Sequence, residues 1–216
     1  MQKPRNYIAV EGPIGVGKTT LAKRLATSLD CGLLLERPED NPFLTRFYSD
    51  PARHALSAQL CFLFQRVEQL RSLSQPQLFA PIGVSDFLLE KDALFAQVAL
   101  AADEYQLYRQ VYDHLTREPP AAPPDLVIYL QAPTEVLQKR IAKRAIGYEQ
   151  QISAGYLDKL NRAYSEFFHY YDAAPLVIIN AADADFANRD ADYQQLWDYL
   201  LDIDSGRHYF NPRSLG

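Results

Sequence analysis

Cysteine is scarce in this sequence, and the two that occur, Cys31 and Cys61, form no Cys-x-x-Cys pair and lack the spacing of metal ligands. They are typical of reduced thiols in a cytosolic protein. No run approaches the roughly 18 apolar residues of a membrane span, and the N-terminus leads into a glycine-rich turn instead of a cleavable signal region. We therefore expect neither membrane insertion nor secretion, and we predict a cytoplasmic protein.

An excess of positive charge is also lacking. The formal net charge is −5, whereas a general nucleic-acid surface would show as a basic excess, so we expect no nucleic-acid partner. A small phosphorylated ligand needs only a local basic patch. With 216 residues, of which 48% are hydrophobic, the chain can bury one sizeable core, and we expect a single domain over residues 1–216.

The most informative stretch is NYIAVEGPIGVGKTT, in which an apolar run leads into a glycine-rich turn and then into helix-forming residues. Gly12, Gly17, Lys18 and Thr19 satisfy the pattern G-x-x-x-x-G-K-[ST]. In this pattern backbone N–H groups surround phosphate oxygens, the lysine reaches the β- and γ-phosphates, and the hydroxyl binds Mg²⁺. The following helix turns its positive end toward the anion. The sequence thus predicts a phosphate loop made of Gly12, Pro13, Ile14, Gly15, Val16, Gly17, Lys18, Thr19 and Thr20.

Short apolar runs alternate with longer helical stretches along the chain. This alternation predicts a parallel sheet with helices on both faces. Ligands of such sheets bind beyond the carboxyl ends of the strands, which draws attention to Glu36 after the second run and Asp86 at the end of the third. The five runs cover residues 6–11, 32–35, 82–86, 125–131 and 175–180.

Two predicted helices carry polar side chains at helical spacing. On a helix over about 53–73, Gln59, Phe62 and Arg66 recur at i, i+3 and i+7, a row that suits either a pocket or a helix edge in solvent. In a later helix Arg140 and Arg144 lie one turn apart. Alone they indicate a solvated face, but beside a phosphate loop they favour a basic lid, about 140–152, that closes on the γ-phosphate.

Absent motifs narrow the class of phosphate-loop protein. GTP switches need Asn-Lys-x-Asp and Asp-x-x-Gly, and neither occurs. ATP-driven motors carry four apolar residues that end in Asp-Glu, whereas the third run here ends Val-Ser-Asp-Phe at residues 84–87 and the fourth ends Leu-Gln at residues 130–131. A small phosphoryl-transfer kinase remains.

On these residues the sequence resembles the deoxynucleoside kinase family over nearly its whole length. Glu36, in LLLERPE, is similar to the family's glutamate that acts as the base on the 5′-hydroxyl. Tyr48, followed eleven residues later by Gln59, resembles the tyrosine that meets the 3′-hydroxyl and the glutamine that pairs with the base. Arg66 falls where the family has an arginine near the base. Glu149, after RIAKR, resembles the lid glutamate that caps the 3′-hydroxyl.

The resemblance implies an α/β P-loop kinase fold, with a five-stranded parallel sheet, helices on both faces and an arginine-bearing lid. It implies a homodimer that uses ATP and Mg²⁺ to phosphorylate the 5′-hydroxyl of a deoxynucleoside. The small Ala58 beside Gln59 favours a purine. The catalytic residues would be Glu36, Lys18, Arg140 and Arg144, the metal ligands Thr19 and Asp86, and the substrate-binding residues Tyr48, Gln59, Phe62, Arg66, Asp86 and Glu149.

Two departures from the family bear on how the 5′-hydroxyl is positioned and on how much phosphate charge the lid neutralises, and two alternatives stay open. Relatives commonly have Asp/Glu-Arg-Ser at the end of strand three, where this chain has Ser85, Asp86 and Phe87, and a third lid arginine is replaced by Ile146. One alternative is a thymidylate-type nucleoside-monophosphate kinase, whose acceptor phosphate would need an extra basic site. The other is a nucleotide-binding regulatory protein without catalysis. The arginines available for that extra site are Arg37, Arg46 and Arg53.

Overall fold

A computed structural model describes residues 7–73, 82–118, 122–187 and 189–212. The strands are β1 (Ile8–Glu11), β2 (Gly32–Leu34), β3 (Ile82–Ser85), β4 (Leu126–Gln131), β5 (Leu176–Asn180) and β6 (Arg207–Phe210). The helices are α1 (Lys18–Leu29), α2 (Leu44–Ser49), α3 (Pro51–Leu73), α4 (Lys91–Ala99), α5 (Ala102–Leu115), α6 (Thr134–Arg144), α7 (Ala154–Tyr170) and α8 (Asp190–Leu201). Short 3₁₀ turns occur at Pro38–Asp40 and Gly147–Gln151.

The strands form one parallel sheet in the order β2-β3-β1-β4-β5-β6. The predicted five strands are all present, but the count of five is wrong, because β6 adds a sixth strand beside β5. Its residues Arg207–Phe210 alternate between exposed and half-buried. This edge strand has no aliphatic run. The apolar pattern that predicts the other strands is therefore absent from β6.

Helices cover both faces of the sheet, as predicted. On one face, α1, α6 and α8 pack against side chains such as Val10, Ile128 and Val177. On the other, α7 places Tyr164 and Phe168 against the sheet. Central strands that are buried on both faces are expected of a parallel sheet, and they fix the positions of the loops at its carboxyl edge. Within the described residues, no helix combines the length and the apolar character that crossing a membrane would require.

Candidate active site

The glycine-rich turn connects β1 to α1 as predicted, and its backbone needs glycine at several positions. Gly12, Gly15 and Gly17 have φ angles of 150°, 82° and 109°. A Cβ atom on Gly12 would lie 2.5 Å from the carbonyl oxygen of Leu130 in β4, closer than two such atoms can pack. The turn therefore lies tightly against the sheet edge, and the first helical residue, Lys18, follows it directly.

Lys18 is folded over this loop. Its Nζ donates hydrogen bonds to the carbonyl oxygens of Gly12, at 2.7 Å, and Pro13, at 3.2 Å. Burial lowers the pKa of the Lys18 ammonium, and the nearby Lys91 lowers it further. Within the described residues the two hydrogen bonds of Lys18 go to carbonyl groups. A partly buried cation of this kind gains from an anionic partner, so this position suits a phosphate.

A cavity at the carboxyl edge of the sheet brings the predicted nucleoside-binding residues together. They come from strand ends, from α2 and α3, and from the segment after α6, although long stretches of sequence separate them. The cavity is lined by Glu36, Tyr48, Gln59, Phe62, Arg66, Asp86 and Glu149, together with Lys18, Thr19 and Arg144. Lys18 and Thr19 of the phosphate loop thus share one cavity with the predicted nucleoside-binding residues.

Glu36 lies among cations in this cavity. Its Oε1 accepts a hydrogen bond of 2.8 Å from Nε of Arg66 and a second from Nη2 of the same side chain. Nζ of Lys91 lies 3.2 Å from the same oxygen. Burial by itself would raise the pKa of Glu36, but the charges of Arg66, Lys91 and Lys18 outweigh it and hold the pKa well below its usual range. Glu36 therefore stays ionised and acts as a hydrogen-bond acceptor.

Arg66 joins Glu36 to a carboxylate that the sequence did not predict, Asp92 in α4. Nη1 of Arg66 donates to Asp92 Oδ2, and the hydroxyl of Tyr108 donates to Asp92 Oδ1 at 2.5 Å. Arg66 is only 4% exposed and Asp92 is fully buried. The guanidinium of Arg66 therefore bonds to Glu36 on one side and to Asp92 on the other. It connects α3 to α4 and also lines the cavity.

Asp86 lies between the phosphate loop and Glu36. Its Oδ2 accepts a hydrogen bond of 2.6 Å from the hydroxyl of Thr19, and its Oδ1 accepts one of 2.7 Å from the backbone N–H of Glu36. Within the described ranges, no three histidine, cysteine or acidic side chains cluster as metal ligands. A carboxylate and a hydroxyl fit Mg²⁺, which takes its remaining ligands from water and substrate phosphates.

The predicted lid residues separate into two groups. Arg144 forms a two-pronged pair with Glu149, with Nε to Oε2 at 2.9 Å and Nη2 to Oε1 at 2.6 Å. Beside this pair the ring of Tyr148 stacks on Tyr48 with 6.1 Å between centroids. The turn at Gly147–Gln151 thus closes one side of the cavity.

Arg140 lies elsewhere, one helical turn before Arg144. Its guanidinium donates to the carbonyl oxygens of Val16, Ala181 and Ala184, at 3.1, 2.8 and 3.1 Å. It lines a second cavity with Gly17 and Thr20 and is not among the side chains around Glu36. The sequence predicts that both lid arginines cover the transferring phosphate. In the structure Arg144 lines both cavities, and Arg140 lines the cavity beside Gly17 and Thr20.

Gln59 has an unusual environment for a buried amide. The residue is 2% exposed, and within the described residues its Oε1 has no hydrogen-bond partner. A buried acceptor without a donor is costly. Because the side chain lines the cavity, a donor on a bound ligand would satisfy it.

Sequence reasoning missed Glu11, Lys91, Asp92 and Tyr148 as residues of the site. Lys91 and Asp92 form a charged pair at the start of a helix, which in sequence looks like an ordinary solvated helix end. Glu11 precedes the first glycine of the loop, and only this acid-glycine pair could have drawn attention to it. Glu11, Lys91 and Asp92 are buried by contacts with distant parts of the chain, which a local sequence pattern does not predict.

Comparisons with known proteins agree on one family. The family model described as deoxynucleoside kinase matches residues 8–202. The chain is 31% identical over 203 residues to a deoxyguanosine kinase of Bacillus subtilis, which covers 91% of this chain and 97% of that protein. It is 31% identical over 192 residues to a deoxyadenosine kinase of Lactobacillus acidophilus, with 83% and 87% covered. The solved structure of deoxyadenosine kinase from M. mycoides with bound dATP superposes with a TM-score of 0.77 at 25% identity, over 90% of this chain and 98% of that one.

Proposed function

This chain belongs to the deoxynucleoside kinase family and is an ATP-dependent kinase of deoxynucleosides, and we propose that its acceptor is the 5′-hydroxyl of a purine deoxynucleoside. The main support for the proposal is that Lys18 and Thr19 of the phosphate loop line the same cavity as the ionised Glu36. A phosphate donor and a hydroxyl acceptor can meet there without any covalent intermediate on the protein.

The chemistry required of the protein is positioning and charge neutralisation. Lys18 and the loop amides would hold the β- and γ-phosphates, and Arg144 would exchange part of its pairing with Glu149 for the transferring group. Glu36 would orient the acceptor hydroxyl and take its proton. Because the pKa of Glu36 lies well below its usual range, orientation and electrostatic guidance contribute more than the basicity of the carboxylate.

Thr19 and Asp86 would hold Mg²⁺, which would supply positive charge that offsets the charge of the phosphate oxygens. We expect Asp86→Asn to raise the Mg²⁺ concentration that gives half-maximal rate, because an amide oxygen is a weaker ligand for a hard cation than a carboxylate. The measurement is a Mg²⁺ titration of initial rate at saturating ATP. The exposed Asp198 provides a matched control as Asp198→Asn. A change confined to the deoxynucleoside KM would instead assign Asp86 to the acceptor side.

The base is the second point to test. The unpaired Oε1 of Gln59 suits the exocyclic amino group of adenine or guanine, or the ring N1–H of guanine. We expect Gln59→Ala to cost roughly 1–3 kcal/mol in kcat/KM, whereas the exposed Gln97, changed to Ala, should cost nothing measurable. In the unaltered enzyme deoxyadenosine or deoxyguanosine should give the highest kcat/KM of the four deoxynucleosides. A clear preference for thymidine or deoxycytidine would remove the purine assignment.

The two alternatives gain no support from the site. Arg37, Arg46 and Arg53, which a monophosphate kinase would need around its acceptor phosphate, are not among the residues that line the cavity. The regulatory alternative depended on a missing cation at the end of β3, and Lys91 supplies a cation beside Glu36. The homodimer and the cytoplasmic location stay predictions.

A further inference from the structure

Lys91 is a buried lysine that the proposed chemistry has not used. It is the first residue of α4, and it is 1% exposed. Lysine is almost never fully buried unless it is paired. Its Nζ lies 3.2 Å from Glu36 Oε1 and 3.6 Å from Glu11 Oε2, and 5.6 Å from the ring centroid of Phe95. The ammonium of Lys91 thus lies between the carboxylates of Glu36 and Glu11, and Glu11 precedes the phosphate loop.

Glu11 is held firmly by other donors. Its Oε1 accepts hydrogen bonds from the N–H of Gly12, at 2.8 Å, and the hydroxyl of Tyr164, at 2.9 Å, and its Oε2 accepts one from the N–H of Leu88, also at 2.9 Å. Lys91 is therefore anchored to a rigid carboxylate at the base of the phosphate loop. From that anchor it reaches the more exposed carboxylate of Glu36, whose side chain is 20% accessible.

Arg66 and Lys91 lie on the same side of the Glu36 carboxylate. Both cations contact Oε1, while Oε2 takes part in no hydrogen bond found within the described residues. This arrangement fixes the carboxylate plane and leaves Oε2 for an incoming hydroxyl. The end of β3 offers no cation for the task, because Phe87 follows Asp86 and is fully buried.

We propose that Lys91 is a positioning residue, which anchors Oε1 of Glu36 to Glu11 and so presents Oε2 to the acceptor hydroxyl. The inference rests on the proposed role of Glu36. Arg66 does not make Lys91 redundant, because Arg66 is shared with Asp92, whereas Lys91 links Glu36 to Glu11, which accepts a hydrogen bond from Gly12 of the phosphate loop. The charged groups that surround the ammonium are Glu11 from β1, Lys18 from α1, Glu36 after β2, Arg66 from α3 and Asp92 from α4.

The test compares Lys91→Met, Lys91→Gln and Lys91→Arg with the exposed control Lys23→Met. In both neutral variants we expect kcat to fall by about 10- to 100-fold, because the acceptor is no longer aligned, with the KM for ATP within about twofold. Lys91→Arg should restore most of kcat.

Melting curves and equilibrium ATP binding separate positioning from folding. A folded neutral variant with unchanged kcat would overturn the proposal. So would failure of both neutral variants to fold, which would make Lys91 a structural counter-ion of Glu11. If the unaltered enzyme phosphorylates no deoxynucleoside, the proposed function itself fails, whereas an active enzyme with an indifferent Lys91 refutes only this inference.

Discussion

Replacing Glu36 with glutamine is expected to lower kcat by about 10²- to 10⁴-fold while deoxynucleoside binding changes little. The two side chains have nearly the same shape, so the pocket keeps its form. The amide carries no charge, accepts with one oxygen only, and cannot take a proton from the 5′-hydroxyl. Arg66 and Lys91, which now converge on Oε1 of Glu36, would lose their anionic partner.

The measurement is steady-state kinetics with deoxyadenosine, combined with equilibrium binding of the nucleoside to the variant. Glu68→Gln, an exposed change on α3, is the matched control. The low pKa of Glu36 adds a second readout, because a group that stays ionised gives no acid limb in kcat/KM above about pH 5. Near-normal turnover in Glu36→Gln would remove this residue from the mechanism.

Removing the 3′-hydroxyl from the substrate is expected to lower kcat/KM by about 10²- to 10⁴-fold. Tyr48 and Glu149 would bind that hydroxyl, and Glu149 is only 7% exposed. Burial holds the pKa of Tyr48 well above its usual value, so its hydroxyl remains a donor. The loss is limited because Glu149 would keep part of its pairing with Arg144.

A comparison of deoxyadenosine with 2′,3′-dideoxyadenosine tests this clamp, and Tyr48→Phe should narrow the gap between the two substrates. Ribonucleosides should also be disfavoured, since the ring of Tyr48, packed between Phe47 and Tyr148, would fill the space of a 2′-hydroxyl. Equal kcat/KM for adenosine and deoxyadenosine would contradict this role of the Tyr48 ring.

The parts of the fold and site that sequence could predict are those with local signatures. The phosphate loop has a fixed spacing of glycine, lysine and threonine, and the central strands are aliphatic because both of their faces are buried. Glu36 and Asp86 follow from a general rule, that ligands gather at the carboxyl ends of parallel strands. An edge strand such as β6, half of whose residues face solvent, offers neither signal.

The contacts that were not predictable depend on tertiary structure. Helical spacing places Arg140 and Arg144 on one face of α6, one turn apart. Even so, Arg140 donates to loop carbonyl groups, whereas Arg144 pairs with Glu149. Likewise Lys91 meets Glu11 only because the start of α4 lies near the end of β1, and the charge of Lys91 gave no sign in the sequence that the residue is buried. Such pairings need the three-dimensional arrangement of elements far apart in the chain.

The central claim is that the γ-phosphoryl group of ATP reaches the 5′-hydroxyl of a purine deoxynucleoside. Phosphorus NMR of the product, after incubation of the full chain with ATP, Mg²⁺ and either deoxyadenosine or its 5′-monophosphate, tests it directly. We predict a 5′-monophosphate from deoxyadenosine, dependent on Glu36, and no diphosphate from the monophosphate. Formation of a diphosphate without any phosphorylation of the nucleoside would contradict the account.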